Sequence, residues 1–186
     1  MKFLAGVDEV GRGSLIGPVY AAAVILNVSI NKKLLKDSKS LTKTRREELD
    51  KYIRENSIWA IGQASIKEIE KINILHASLL AMKRAILKLK KKPSLVLIDG
   101  NKLPNLKNYK LEYVIKGDQK IPSISAASII AKVSRDKFIT KLSKQFNNYG
   151  WDTNLGYGTK EHLKAIKKFG ITKYHRKTFS PVSDLL

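Results

Sequence analysis

The sequence predicts an α/β fold, because five short apolar runs typical of buried strands are combined with longer segments that have the three-to-four-residue apolar spacing of helices. The chain has 186 residues, which is enough for one domain with a sizeable core. We expect a single domain over residues 1–186, in which the part from about residue 147 to 186 forms a C-terminal loop and helical extension. Acidic residues follow three of the apolar runs, so we expect the functional site to lie at the ends of these strands.

The composition predicts a polyanionic partner such as nucleic acid. The formal net charge is +20, from 36 Lys and Arg against 16 Asp and Glu. Of these cations 29 are Lys and 7 are Arg, which favours contacts to a phosphate backbone over base reading; a merely solvated basic surface is the alternative. The chain has no cysteine, which excludes disulfides, thiolate metal sites and a cysteine nucleophile.

The chain also lacks the signals of export or membrane insertion. It enters a strand pattern at once, without a charged and then apolar leader. No apolar run approaches the roughly 18 residues that a membrane span requires. We therefore expect a cytoplasmic protein that does not contact a membrane.

The first strand is expected over residues 3–7 and leads directly into Asp8 and Glu9. Successive strand side chains point to opposite faces, so both carboxylates can face one ion only if the chain bends, and the Gly-Arg-Gly at 11–13 permits a bend. Carboxylates suit a hard divalent cation, and the amides of a glycine turn suit a phosphate oxygen. The glycine spacing fits neither the dinucleotide fingerprint nor the phosphate loop of nucleoside triphosphatases. The alternative is an exposed acidic pair before an ordinary turn.

The next segments predict two strands and one helix. Residues 19–26 form a second buried strand that returns beside the first, and residues 27–42 are expected to be a Lys-rich solvated loop. A capping box at 44–47 predicts a helix over 45–55, and a third strand follows over 57–64.

The middle of the chain supplies two further strand ends with carboxylates. Apolar residues at steps of three and four predict a helix over 73–91, followed by a strand over 95–98 that ends at Asp99. Burying that carboxylate without a partner costs several kcal/mol unless a cation compensates; a plain Asp-Gly turn is the alternative. A fifth strand over 111–115 is followed by Asp118.

A long helix is expected over 123–146, with small residues in its first half that permit close packing on a sheet. The neighbouring Arg135 and Asp136 within it are expected to form a structural or an exposed ion pair. Further on, Thr159 can cap a last helix over 160–169 that Gly170 ends. Between these helices Tyr157 lies between two glycines, which leaves its ring free to stack on a sugar or a base, unless it is an ordinary loop tyrosine.

Together, an ordered set of motifs closely resembles the bacterial ribonuclease HII (type 2 ribonuclease H) family over nearly the whole chain. The motifs are GVDEVGRG at 6–13, DSK at 37–39, LIDG at 97–100, KGD at 116–118, ISAASIIAKVSRD at 124–136 and GYGT at 156–159. The resemblance implies a ribonuclease H-like fold, with a five-stranded mixed sheet flanked by helices and a small C-terminal helical part. The sequence does not determine the order of the strands.

The resemblance further implies an endoribonuclease. It would hydrolyse the RNA strand of RNA–DNA hybrids and cut 5′ to single ribonucleotides embedded in duplex DNA, leaving 3′-hydroxyl and 5′-phosphate ends. Two divalent ions, Mg²⁺ or Mn²⁺, would be the cofactors, because clustered carboxylates repel one another without cations. The metal-binding and catalytic residues carried over from the family are Asp8, Glu9, Asp99 and Asp118.

The same resemblance assigns the substrate contacts. The backbone of the glycine turn would contact the 2′-hydroxyl and adjacent phosphates, the tyrosine would pack against the sugar at the ribo-to-deoxyribo junction, and three polar residues would contact phosphates. In chain order these residues are Gly11, Arg12, Gly13, Ser38, Lys39, Lys43 and Tyr157. We expect a monomer whose partner is a nucleic-acid duplex. Two alternatives remain at this point, a noncatalytic binding module and a nuclease of the same fold that cuts DNA junctions.

Overall fold

The computed structural model describes residues 3–35 and 41–185. Single turns of 3₁₀ helix occupy Lys32–Leu35, Asn147–Tyr149 and Ser183–Leu185. The strands and α-helices follow in the order β1 (Leu4–Val10), β2 (Val19–Leu26), α1 (Lys43–Glu55), β3 (Ser57–Ala64), α2 (Ile66–Leu87), β4 (Leu95–Asp99), β5 (Leu111–Val114), α3 (Gly117–Lys120), α4 (Pro122–Ser143), α5 (Trp151–Asn154) and α6 (Lys160–Phe169).

One mixed sheet of five strands forms the centre, in the order β3-β2-β1-β4-β5. The pairs β1–β2 and β2–β3 are antiparallel, and the pairs β1–β4 and β4–β5 are parallel. The central strand β1 therefore has an antiparallel neighbour on one side and a parallel neighbour on the other. The predicted mixed α/β architecture is confirmed, and the structure supplies the strand order.

Helices cover both faces of the sheet. Ala5 and Val7 of β1 belong to the apolar cluster that packs against α2. The other face packs against α1 and α4, where α4 contributes small residues such as Ala126 and Ala127. A third cluster joins the C-terminal residues, Trp151 among them, to the end of α4 and to the segment before β2.

The central helix α4 lies very close to β1. A Cβ atom added at Gly6 would overlap the backbone of Ser123 and Ile124. The first half of α4, where the small residues lie, therefore packs closely on the sheet, as the sequence predicts. This contact brings the polar face of α4 beside the carboxyl end of β1.

Several element boundaries differ from the prediction, among them those of β1, α1 and α2. β1 continues through Asp8 and Glu9 to Val10, and it does so because these residues keep their ladder pairing with β2. Helix α1 starts two residues early, with Thr42 rather than Thr44 as its cap. Helix α2 starts at Ile66, and its backbone is interrupted at Asn73, whose side chain caps the second half.

No helix within the described ranges is long and apolar enough to span a membrane.

Candidate active site

The carboxyl ends of β1 and β4 open into a cavity of about 330 Å³. All four acidic residues that the sequence singles out lie in its wall, although they come from three separate parts of the chain. The lining residues are Asp8, Glu9, Val10, Arg46, Asp99, Asp118, Ser128, Ile129 and Lys132.

The parallel register places Asp8 next to Asp99. The last parallel pair is Val7 with Ile98, so the two aspartates are the next residues on adjacent strands and point to the same face, toward α4. Glu9 follows on β1 and still lines the cavity, because the pairing with β4 has ended and the sheet is open there. The bend that we expected at Asp8 and Glu9 lies instead at Gly11, which has a φ of 91°.

A turn of helix, rather than a strand end, brings Asp118 to the cavity. Lys116 adopts a left-handed backbone conformation, and α3 begins at the next residue. The amide of Gly117 donates to Asp99 Oδ1 over 2.7 Å, which ties α3 to the end of β4. Asp118, at 3% exposure, is thereby buried against the same cavity.

Burial and repulsion between carboxylates disfavour the charged forms of Asp8 and Glu9. Burial raises the pKa of Asp8 well above its ordinary value, and the charges of Glu9 and Asp99 raise it further. Burial also raises the pKa of Glu9, although the adjacent Arg12 opposes that rise. A bound cation would favour the charged forms of Asp8 and Glu9 and would so oppose both shifts.

The donor set fits a hard divalent ion in chemistry, since it consists of carboxylate oxygens. Asp8, Glu9 and Asp99 each accept a hydrogen bond from a protein donor. Glu9 N donates to Asp8 Oδ1 over 2.7 Å, and Arg12 donates to Glu9 Oε1 over 3.2 Å. In the part of the chain that the structure describes, no three acidic or histidine side chains converge on one point closely enough to hold an ion. Glu9 Oε2, however, is buried with no hydrogen-bond partner among those residues, which leaves one carboxylate oxygen of the site free for a cation.

The Gly-Arg-Gly turn directly follows Val10, which lines this cavity. Arg12 and Gly13 are exposed, and Arg12 reaches back to Glu9. A Cβ atom at Gly13 would have no heavy atom within 4 Å, whereas one at Gly11 would overlap the side chain of Arg135. The turn therefore presents bare backbone to solvent directly beside the acidic wall.

Tyr157 lies on the other side of the site and is half-buried. Its ring centroid is 5.8 Å from Lys132 Nζ and 5.5 Å from Arg135 Cζ. Because Lys132 also lines the cavity, one side chain separates the tyrosine ring from the acidic wall.

The three remaining substrate predictions have no structural test. Ser38 and Lys39 lie outside the described residues. Lys43 is the exposed first residue of α1 and does not line the cavity, but Arg46, one turn further along the same helix, does.

The sequence reasoning missed several residues of the site. Ser128 donates a hydrogen bond to Asp8, and Lys132 and Arg135 follow at the helical spacing of four and three residues. Polar residues that recur at this spacing within an otherwise apolar helix lie on one helix face, and this pattern could have identified them from the sequence. The expected pair of Arg135 with Asp136 is wrong, because Asp136 pairs with Lys132 at 3.0 Å while the arginine points into the core.

A mixed five-stranded sheet with carboxylates at the adjoining ends of two parallel strands defines a metal-dependent nuclease of the ribonuclease H class. A model of the family described as Ribonuclease HII matches residues 5–182. The chain is 91% identical to the Ribonuclease HII of Pelagibacter ubique (strain HTCC1062), over 100% of both sequences. It therefore belongs to the ribonuclease HII family of bacteria, whose members are metal-dependent endoribonucleases that act on the RNA strand of RNA–DNA hybrids.

Several solved structures are similar to this one. The ribonuclease H2 of Pyrococcus horikoshii OT3 superposes with a TM-score of 0.81 at 28% identity, covering 98% of this chain and 96% of that one. Bst-RNase HIII in complex with Mn²⁺ superposes with a TM-score of 0.78 at 18% identity, covering 99% of this chain and 69% of that one. The second likeness concerns the fold alone.

Proposed function

We propose that this endoribonuclease also cuts 5′ to a single ribonucleotide embedded in duplex DNA, and that it does so with two divalent ions. The observation that carries the proposal is the continuity of three features around one cavity. The acidic wall adjoins the glycine turn through the contact of Arg12 with Glu9, and it adjoins Tyr157 through Lys132. A hydrolytic centre, a bare backbone and an aromatic ring thus lie side by side.

Asp8, Glu9, Asp99 and Asp118 are the residues that would hold the ions. The Mn²⁺ complex of the ribonuclease HIII neighbour supports a divalent cation in this fold. When bound, such ions supply an activated water and Lewis-acid stabilisation of the leaving oxygen. No histidine lines the cavity among the described residues, so we assign no histidine as a general base.

The chain's own residues orient the acids and the substrate. Ser128 holds Asp8 through a hydrogen bond, and Arg46 and Lys132 add positive charge to a wall that must admit a polyanion. The amides and carbonyls of the Gly-Arg-Gly turn would approach the ribose 2′-hydroxyl, which distinguishes RNA from DNA at a site. Tyr157 would pack on the neighbouring deoxyribose, which lacks that hydroxyl.

The experiment compares three duplexes of one sequence: all-DNA, DNA with one ribonucleotide, and DNA paired with an all-RNA strand. With Mg²⁺ or Mn²⁺ we expect cleavage of the last two only, with 3′-hydroxyl and 5′-phosphate ends. Asp8→Asn should reduce cleavage at least about 100-fold because it removes an ion-binding carboxylate. Asp152→Asn, an exposed acid on α5, is the control and should be fully active.

Two results would contradict the proposal. Equal cleavage of all three duplexes would refute selectivity for ribonucleotides, and full activity of Asp8→Asn would refute the metal mechanism. The ion count is tested by Mn²⁺ titration calorimetry with the uncleaved duplex bound, where one site per chain would refute the two-ion part.

A further inference from the structure

Arg135 is a fully buried cation that bridges two loops. It lies on α4 at 0% exposure, and its Nη2 donates to Ser14 Oγ over 2.6 Å. Its Nη1 donates to the carbonyl of Leu155 over 3.2 Å. The segment after the glycine turn and the segment before Tyr157 are therefore held by one guanidinium.

The two loops also bind each other directly. The amide of Leu15 donates to the carbonyl of Gly156 over 2.9 Å, and Ser14 Oγ lies 3.0 Å from the same carbonyl. A Cβ atom at Gly156 would overlap Ile16. Any shift of one loop must consequently be transmitted to the other.

Arg176, also at 0% exposure, supports the glycine turn from the opposite side. Its Nη1 donates to the carbonyl of Arg12, and its Nε donates to the carbonyl of Gly17, both over 2.9 Å. The backbone amide of Arg176 donates to Leu15 O over 2.8 Å. These bonds span the turn from its exposed tip to its end.

Neither arginine has a carboxylate in an ion pair among residues 3–35 and 41–185. Arg135 Nε and Arg176 Nη2 are buried there with no hydrogen-bond partner. Burial lowers the pKa of both groups, and the positive charge of Arg135 contributes to lowering the pKa of Arg176 to about 9. Burying unpaired charge is costly, so a role in packing alone would be served better by apolar side chains.

We propose that Arg135 is a positioning residue that sets the distance between the glycine turn and Tyr157, and thereby the preference for a ribo-to-deoxyribo junction. Only a forked guanidinium can donate to Ser14 and Leu155 at once, and its carbon Cζ supports the tyrosine ring from 5.5 Å. The hydrogen bonds that Arg176 donates among the described residues all go to carbonyls of the glycine turn and the segment after it, so we expect Arg176 to affect every substrate that carries a 2′-hydroxyl. The inference rests on the proposed function, which assigns the turn to the ribonucleotide and the tyrosine to its neighbour.

The test measures kcat and KM of the full chain with Mn²⁺ on the single-ribonucleotide duplex and on the duplex with an all-RNA strand. The junction preference is the ratio of the two kcat/KM values. Arg135→Lys keeps the charge and loses the fork, and we expect the preference to fall about tenfold through a higher KM on the first duplex. Tyr157→Ala should cause a similar fall, and the double variant should fall no further, because the arginine acts through the tyrosine.

Two matched variants separate positioning from general damage. Ser134→Ala is the control, because its hydroxyl accepts from Arg54 on the outer side of the same helix, and its junction preference should stay within twofold of wild type. Arg176→Lys should weaken both cleavage reactions equally and leave the preference unchanged. Should Arg135→Lys fail to fold by circular dichroism, Arg135→Gln, which retains one donor group, is measured in its place.

An unchanged junction preference in a folded Arg135 variant overturns the inference while leaving the proposed function intact. Independent, additive losses in the double variant also overturn it. The proposed function fails separately if wild type does not cut the single-ribonucleotide duplex, or if Tyr157→Ala leaves the preference unchanged.

Discussion

Gly13 is the residue whose missing side chain has no structural explanation within the protein. Its Cβ position is open, and its backbone is not in the left-handed region that favours glycine. The two other glycines of this segment differ, since Gly11 and Gly17 both have positive φ. Empty space beside the acidic cavity is what a closely approaching substrate backbone requires.

We therefore expect Gly13→Ala to leave stability unchanged or raise it by up to about 1 kcal/mol, because the alanine restricts only the unfolded chain. The kcat/KM on the single-ribonucleotide duplex should nevertheless fall about tenfold, because the methyl group obstructs the ribose. Thermal melts and steady-state kinetics check the two parts. Gly11→Ala is the contrast and should lose both stability and activity, since its side chain would overlap Arg135. Wild-type activity in Gly13→Ala would argue against substrate contact at this turn.

At the scale of elements, a buried pair of histidines connects α6 to the C-terminal segment. The amide of Thr172 donates to His175 Nδ1 over 2.8 Å, so the proton of His175 is on Nε2, 3.3 Å from His162 Nε2. That nitrogen also accepts from Trp151 Nε1 over 3.0 Å, so His162 carries its proton on Nδ1 and donates to the carbonyl of Tyr157 over 2.9 Å. Both rings are neutral in this network, because an added proton would replace an acceptor with a donor.

This network predicts acid sensitivity. Burial lowers the pKa of His162, and it lowers the pKa of His175 from 6.5 to about 4, with repulsion from a proton gained by His162 as a second cause. Between those pH values the unfolded chain binds protons that the folded chain excludes, so stability is complete above pH 6.5 and decreases as the pH falls toward 4. From the pKa values of 6.5 and about 4, we expect a loss on the order of 2 kcal/mol from His175 between pH 7 and 5.

Urea unfolding at pH 7, 6 and 5 measures this loss. His175→Asn is the matched variant, because its side-chain oxygen can accept from Thr172 and it does not titrate. The variant is expected to be less stable at pH 7 and to lose clearly less stability than wild type on acidification. A parallel pH dependence of the two proteins would assign the acid sensitivity to other groups.

At the scale of the whole molecule, a protein with a net charge of +20 contains an acidic site. The affinity for phosphates, which every duplex carries, should depend on the surface lysines, whereas selection of the ribonucleotide depends on the site itself. Affinity and selectivity should therefore respond differently to salt.

We expect the Kd of the Asp8→Asn protein to rise at least about 100-fold between 50 and 200 mM NaCl, which corresponds to roughly four phosphate contacts. The ratio of Kd values for duplexes with and without a ribonucleotide should stay constant. Fluorescence anisotropy measures both. Lys43→Gln should reduce the slope of log Kd against log salt by about 0.9 if that lysine contacts a phosphate, and an unchanged slope would remove it from the proposed contacts.

The spacing of apolar residues and the local capping signals were sufficient to predict the bounds of those elements in which local and tertiary preferences agree. Helix α6, with Thr159 as its cap and Gly170 at its end, and the strands β2 and β3 match their predicted bounds. The capping threonine of α1 was misassigned because Thr44 and Glu47 match the capping box, whereas the cap in the structure is Thr42, which has Arg45 three residues later. The early half of α2 was missed because Asn73 divides it with a left-handed backbone conformation.

The candidate site divides in the same way. Its four acids could be identified because each follows or ends an apolar run and matches a family motif, which are local properties of the chain. The roles of Arg135 and Arg176 could not, because they depend on which carbonyls lie within reach of a buried guanidinium. Asp136 illustrates the limit, since the neighbour in sequence was the wrong partner and Lys132, one helical turn away, was the right one.

By itself, then, the sequence determined the α/β class, the acidic residues and the family, because those follow from residue types and their order along the chain. The tertiary structure decided the strand order, the register that puts Asp8 beside Asp99, and the burial of Arg135 between two loops. These are contacts between segments distant in the chain. Their geometry depends on how the strands pair, which no local pattern records, and on which strand α4 packs against, since the small residues of α4 predict only that the approach is close.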